Sequence, residues 1–189
     1  MSLSQSFKLP VGGFVVLILV GVSAAWAPSS LRADEQAEAR AGEIRELVEF
    51  LSRKGFYALR DPQEKEAIAK LKAMSEQAAP AIAEMLTEGL KNRERGWIEV
   101  YRPLFILESM GPSAKVALAD ISKALEDEHQ ANVTAAARVL ERIGPAAKNH
   151  LPSLRRVWES PNLRDSTKQA VERAIKNINP ESAEKLGIK

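Results

Sequence analysis

A stretch of about thirty-three residues occurs twice in direct succession. Leu107-Glu108-Ser109-Met110-Gly111-Pro112-Ser113-Ala114-Lys115 aligns with Leu140-Glu141-Arg142-Ile143-Gly144-Pro145-Ala146-Ala147-Lys148, and the two Gly-Pro pairs stand 33 positions apart. The apolar residues on either side keep phase: Leu118, Ile121 and Leu125 map onto Leu151, Leu154 and Trp158 at the same offset. Ile82 and Leu86 map onto Ile121 and Leu125 at offset 39, a charged connector at Lys91 to Arg95 absorbing the excess. Recurrence at this period predicts a stacked array of repeats, none of which can bury its apolar face alone.

The residues filling that period favour helix. Alanine, leucine, glutamate, lysine and arginine dominate, and aromatic residues make up only 5% of the chain. Glu35 to Lys54 carries Ile44, Leu47, Val48 and Leu51 as an i, i+3, i+4, i+7 stripe, with Gly55 as its stop. Asp61-Pro62-Gln63-Glu64 supplies an N-cap, a first-turn proline and a capping glutamate for a second helix with Ala67, Ile68, Leu71 and Met74 inward. Pro80 is expected to open a third helix, and Trp97 to Met110 a fourth that Pro103 kinks or delays. Helices after Gly111-Pro112, from about Gln130 to Ile143, after Gly144-Pro145 and from about Leu163 to Ile178 complete the pattern. The expected fold is all-α, a short solenoid of about four helical hairpins over residues 35–178, with 28–34 as linker and 179–189 as tail.

The N-terminal segment follows other rules. Lys8 is the only charge before Arg32, Val11 to Val22 is almost wholly apolar, and small residues flank exits after Ala24 and after Ala27. Residues 1–27 read as a secretory signal peptide or, because Leu9 to Leu31 is uncharged and long enough to span a bilayer, as an uncleaved anchor. Both readings place the remainder outside the cytoplasm, periplasmic or secreted, in the second case tethered by residues 9–27. The chain has no cysteine, so stability there must come from the apolar core, and thiol chemistry is excluded.

Ala135-Ala136-Ala137-Arg138-Val139-Leu140-Glu141-Arg142-Ile143-Gly144-Pro145-Ala146-Ala147 resembles the HEAT-repeat family in its short-repeat, phycobilisome-lyase-type form. The shared features are the alanine-rich second helix, the Leu-x-x-Ile-Gly ending and the Gly-Pro-x-Ala turn. Leu151-Pro152-Ser153-Leu154 continues the pattern, and the resemblance runs from about Phe105 to Ile178, more loosely from Pro62 to Arg102. In that family the second helices generally line the concave side. The resemblance therefore places Arg138, Arg142, Arg173 and Lys176, with Arg102 as an extension and Lys168 nearby, on a candidate basic interaction ridge. The competing reading is a solvated face diluted by Glu141 and Glu172.

Chemistry is sparse. His150 falls at the stripe position of Ala117 and is expected to fill a gap between repeats; His129 sits beside Asp127 and Glu128 in a connector. No metal-ligand motif, nucleophile elbow or phosphate loop occurs, so no catalytic, metal or cofactor residue is assigned. Asn132-Val133-Thr134 fits a glycosylation sequon but lies in a predicted helix. Phe56 and Tyr57, like Trp97 and Tyr101, either seal the array or form a contact patch. The 27 basic against 25 acidic residues argue against a duplex-binding face. The expected role is a non-enzymatic protein-interaction or scaffold module with another protein as partner. Alternatives are a lyase-like enzyme or prosthetic-group chaperone, and phosphate-backbone binding through the basic ridge.

Overall fold

The computed structural model describes residues 29–53, 61–92 and 96–188. The apolar segment at 1–27, Gly55, and the Phe56-Tyr57 pair lie outside these. Among the described residues the structure is all-helical, without a strand. The elements are α1 (Ser29–Ser52), α2 (Pro62–Ala73), α3 (Ser75–Lys91), α4 (Ile98–Met110), α5 (Leu118–Ala124), α6 (Gln130–Ile143), α7 (Leu151–Trp158), α8 (Asp165–Ile178) and α9 (Pro180–Lys185). None of these helices is long and apolar enough to cross a membrane. The chain divides into two compact units, Met1–Ala37 and Glu38–Lys189. In the first, the described residues are the opening of α1, so residues 29–34 are helical. The second unit carries the core.

Within the second unit, α3 packs on α4, the chain leading into α5 and α5 itself pack on α6, and α7 packs on α8. Helix α6 lies between α4 and α8. The repeat governs burial residue by residue. Val100, Leu104, Ile106, Leu107 and Met110 of α4 correspond at offset 33 to Val133, Ala137, Val139, Leu140 and Ile143 of α6, and all are buried. From α6 to α8 the offset becomes 35, matching Ala135, Ala136, Val139, Leu140 and Ile143 with Ala170, Val171, Ala174, Ile175 and Ile178, again all buried. Alanines in the middle helix remove side-chain bulk where it meets neighbours on two sides. Ile44 and Leu51 of α1 and Ala67 and Leu71 of α2 join the same apolar cluster, as the periodicity predicts.

The two Gly-Pro corners are alike. Gly111 has φ 59° and Gly144 φ 70°, a backbone region that L side chains rarely adopt, so each corner requires glycine. Their amide protons close the preceding helices onto the Glu108 and Leu140 carbonyls. The sequence predicts an α-helix directly after each corner. The structure instead places a seven-residue 3-10 segment there, Gly111–Ala117 and Gly144–His150. Tight i→i+3 bonding is common at helix starts, and its appearance at both corners makes it part of the repeat.

Four further expectations change. Helix α3 begins at Ser75, five residues before Pro80: the Met74 carbonyl accepts from the Gln77 and Ala78 amides at 3.0 and 2.8 Å. Pro80 is exposed, so water can satisfy the Glu76 carbonyl that its missing proton leaves open. Pro103 likewise lies inside α4, buried, and does not delay it. Asp61 caps α2 as expected, accepting from the Gln63 amide at 2.9 Å, but Glu64 turns inward and does not cap. Residues 179–188, expected as a C-terminal tail, include a ninth helix. Asn179 caps α9, which packs on α8 and buries Ala183 and the following Ile188.

Two contacts give tests. A Cβ at Gly89 of α3 would sit 2.2 Å from the Glu99 carbonyl oxygen of α4, and that neighbour is backbone, which cannot rotate away. Gly89→Ala should therefore lose about 2 kcal/mol or more, as overpacking does, measured by urea unfolding. Asp120 of α5 accepts from Thr87 of α3 at 2.5 Å and from Lys123 at 2.8 Å. Burial pushes its carboxyl up, but the hydrogen bonds from Lys123 and Thr87 and the charges of Lys123 and Lys91 outweigh this and hold it below the usual value. A depressed folded value contributes stability above the ordinary aspartate range and loses it as pH falls through the folded value. Asp120→Asn should flatten the fall in stability below about pH 4, seen in denaturant melts at stepped pH.

Candidate functional site

The outward side of α4, α6 and α8 carries most of the residues that the sequence singles out. Because core positions match between these helices, outward positions match as well. Phe105 of α4 corresponds to Arg138 of α6 at offset 33, and Arg138 to Arg173 of α8 at offset 35. Phe105 is 39% exposed, one of two large apolar side chains so exposed among the described residues; the other is Val116. Arg138 is half-buried and makes no hydrogen bond or ion pair among the described residues, and Arg142, one turn along, is exposed and likewise makes none. Arg173 Nε faces Glu141 Oε2 at 3.4 Å, joining α8 to α6 across this side. Asn177 donates to the Glu141 carbonyl at 2.6 Å beside it, and Lys176 is exposed.

Arg102 is not part of this surface. It is 3% exposed and takes the position that Ala135 and Ala170 hold in the later helices. Its Nε lies 3.3 Å from Glu64 Oε1 of α2, itself 0% exposed, and its Nη1 donates to the Leu51 carbonyl of α1 at 2.8 Å. A position that later repeats close with a methyl group here ties three helices together through one guanidinium. Of the rest of the ridge set, Arg138 and Arg142 stand on α6 and Arg173 and Lys176 on α8, none of them buried.

An aromatic run adjoins the basic residues, and it includes Trp97 and Tyr101, which the sequence leaves between sealing the array and forming a contact patch. Trp97, Tyr101 and Phe105 follow i, i+4, i+8 spacing along α4. Trp97 meets Tyr101 edge to face with ring centroids 5.3 Å apart, and Tyr101 stacks on Phe105 at 6.4 Å. His129, which precedes α6, stacks on Trp97 at 6.4 Å. The run is half-buried at Trp97 and Tyr101 and opens to solvent at Phe105. The i, i+4, i+8 spacing was the available signal, and it points here to an edge.

The other chemistry-bearing residues serve local structure. His150 Nδ1 is hydrogen-bonded to Ser122 Oγ, bridging the second 3-10 segment and α5 in the gap its alignment predicts. Asp127 accepts from the His129 amide at 2.8 Å and from Asn132 Nδ2 at 3.0 Å, fastening the turn into α6. Asn132 is fully buried, which closes the sequon. Gln130 clamps the next connector, donating to the Asn162 carbonyl and accepting from the Arg164 amide, both at 2.7 Å. Lys168 lies over the Trp158 ring at 5.8 Å. On α7, Arg155 and Arg156 pair with Glu159 and Glu126. Among the described residues, no three His, Asp or Glu side chains gather as a metal site.

The chain matches no protein-family model and no curated protein.

The buried pair is testable by stability. Removing one partner of a buried ion pair costs about 3–5 kcal/mol, whereas replacing both by apolar groups is close to neutral. Arg102→Ala and Glu64→Ala should each be strongly destabilised in urea. The Arg102→Met/Glu64→Leu double variant should recover most of the loss, giving a large coupling in the double-mutant cycle.

Proposed function

We propose that the chain is a non-enzymatic interaction module whose binding face is the outward side of α4, α6 and α8. In this reading its hairpins stack as a short HEAT-like solenoid. The apolar N-terminal segment carries the array out of the cytoplasm, as a cleaved signal or a retained tether, and another protein is the partner.

The observation that carries the proposal is the matched row Phe105, Arg138, Arg173. Its middle guanidinium has no partner among the described residues, and its first member exposes an aromatic ring. On α7, by contrast, Arg155, Arg156 and Trp158 all have partners on or beside the helix. Exposed aromatic and arginine side chains are the residue types that most often anchor protein interfaces. The 33- and 35-residue registers support the solenoid reading, since each second helix buries the same positions against the next.

Proximity labelling in the native host tests it. Neighbours labelled by the wild-type chain should be lost with Phe105→Glu/Arg138→Glu and retained with Arg155→Glu/Arg156→Glu. The proposal falls if both variants label the same neighbours as wild type. Matched melting curves establish that both variants fold.

A further inference from the structure

The chemistry of the α4–α6–α8 face, given the interaction-module reading on which this rests, selects a class of partner. We propose that it binds an extended acidic peptide segment in which an apolar residue is followed by carboxylates three and six residues further on.

Charge and apolar surface are segregated across the face. The α4 end is aromatic, with Phe105 exposed and Tyr101 stacked behind it at 6.4 Å. The α6 and α8 positions are basic, with Arg138 and Arg142 free of partners among the described residues, and Arg173 and Lys176 beyond them. The acidic groups on the same helices are Glu99 and Asp165 in the first turns of α4 and α8, and Glu108, Glu141 and Glu172 further along. Glu141 is engaged by Arg173 and Glu172 accepts from Trp158 Nε1 at 3.3 Å. Arg173 uses only its Nε on Glu141, and a guanidinium carries five N–H donors, so donors remain for a ligand. The face therefore complements a ligand that is apolar at one end and anionic along the rest.

Spacing follows from helix packing. Neighbouring packed helices have axes about 8–10 Å apart. An extended chain in the polyproline-II form advances about 3.1 Å per residue with three residues per turn, so roughly three residues carry it from one helix to the next and return the side chain to the same side. A peptide laid across the helices, with its apolar side chain on Phe105, thus presents its third following residue to Arg138 and its sixth to Arg173. Planar guanidinium groups bind carboxylates in a two-pronged fashion, which rewards that register over neighbouring ones.

Fluorescence anisotropy with the full-length chain tests this. The probe is a labelled heptapeptide with leucine first, glutamate fourth and seventh, and serine and alanine elsewhere. It is compared with isomers spaced by two and by four residues and with a lysine-for-glutamate version. The three-residue spacing should bind at least fivefold more tightly than either isomer and weaken as salt is raised. Arg138→Glu should reduce its binding at least tenfold and bind the lysine version instead, which also shows that the variant is folded. Arg155→Glu should leave binding unchanged. Equal binding of all spacings, no binding of the glutamate probe, or indifference to Arg138→Glu overturns the inference. If peptides fail while Phe105→Glu/Arg138→Glu still loses its neighbours in the host, the peptide class is wrong and the interaction face stands. If host labelling is unchanged as well, the interaction face falls too.

Discussion

Two glycine corners set the geometry on which the rest of the second unit depends. Gly111 and Gly144 hold positive φ, close the helix behind them through their own amide protons, and hand the chain to a proline that starts a 3-10 segment. Equal corners send the chain off in equal fashion, so the helices that follow present the same positions to their neighbours. A side chain at either glycine would carry a left-handed strain that no packing partner relieves. The burial pattern shared by α4, α6 and α8 follows from this local constraint as much as from the apolar stripe.

Helix α6 shows how packing converts that constraint into a surface. It meets α4 on one side and α8 on the other, and its buried positions include Ala135, Ala136 and Ala137. Small residues there leave only a narrow outward strip, on which Arg138, Glu141 and Arg142 stand. The strip is continuous with Phe105 on α4 and Arg173 on α8 because the register between helices is fixed by the core. A functional face of this kind needs no special motif: it is the complement of what the repeat buries.

Much of this was legible in the sequence. The stripe of α1, the extent of α6, the cap at Asp61 and the bridging position of His150 all follow from periodicity and offset. The misreadings share one cause, since each concerns a residue whose partner is distant in the chain or whose local rule is relaxed by surroundings. Glu64 fits a capping box by spacing, yet a guanidinium 38 residues later draws it into the interior. Arg102 reads as an extension of the ridge from the resemblance alone, yet it occupies an alanine position of the repeat. Pro80 looks like a helix opener, yet its exposed side lets the helix run through it.

By itself the sequence determined the helical class, the repeat period and the residues that face inward, because these depend on spacing along one chain and on the φ that glycine alone tolerates. Tertiary structure decided which charges are buried and which remain outside. It tied Arg102 to Glu64 and Leu51, docked α9 on α8, and opened an aromatic edge from Trp97 to Phe105. The physical reason is that desolvation and ion pairing depend on what lies opposite a side chain in space, and composition within a single helix carries no record of its neighbours.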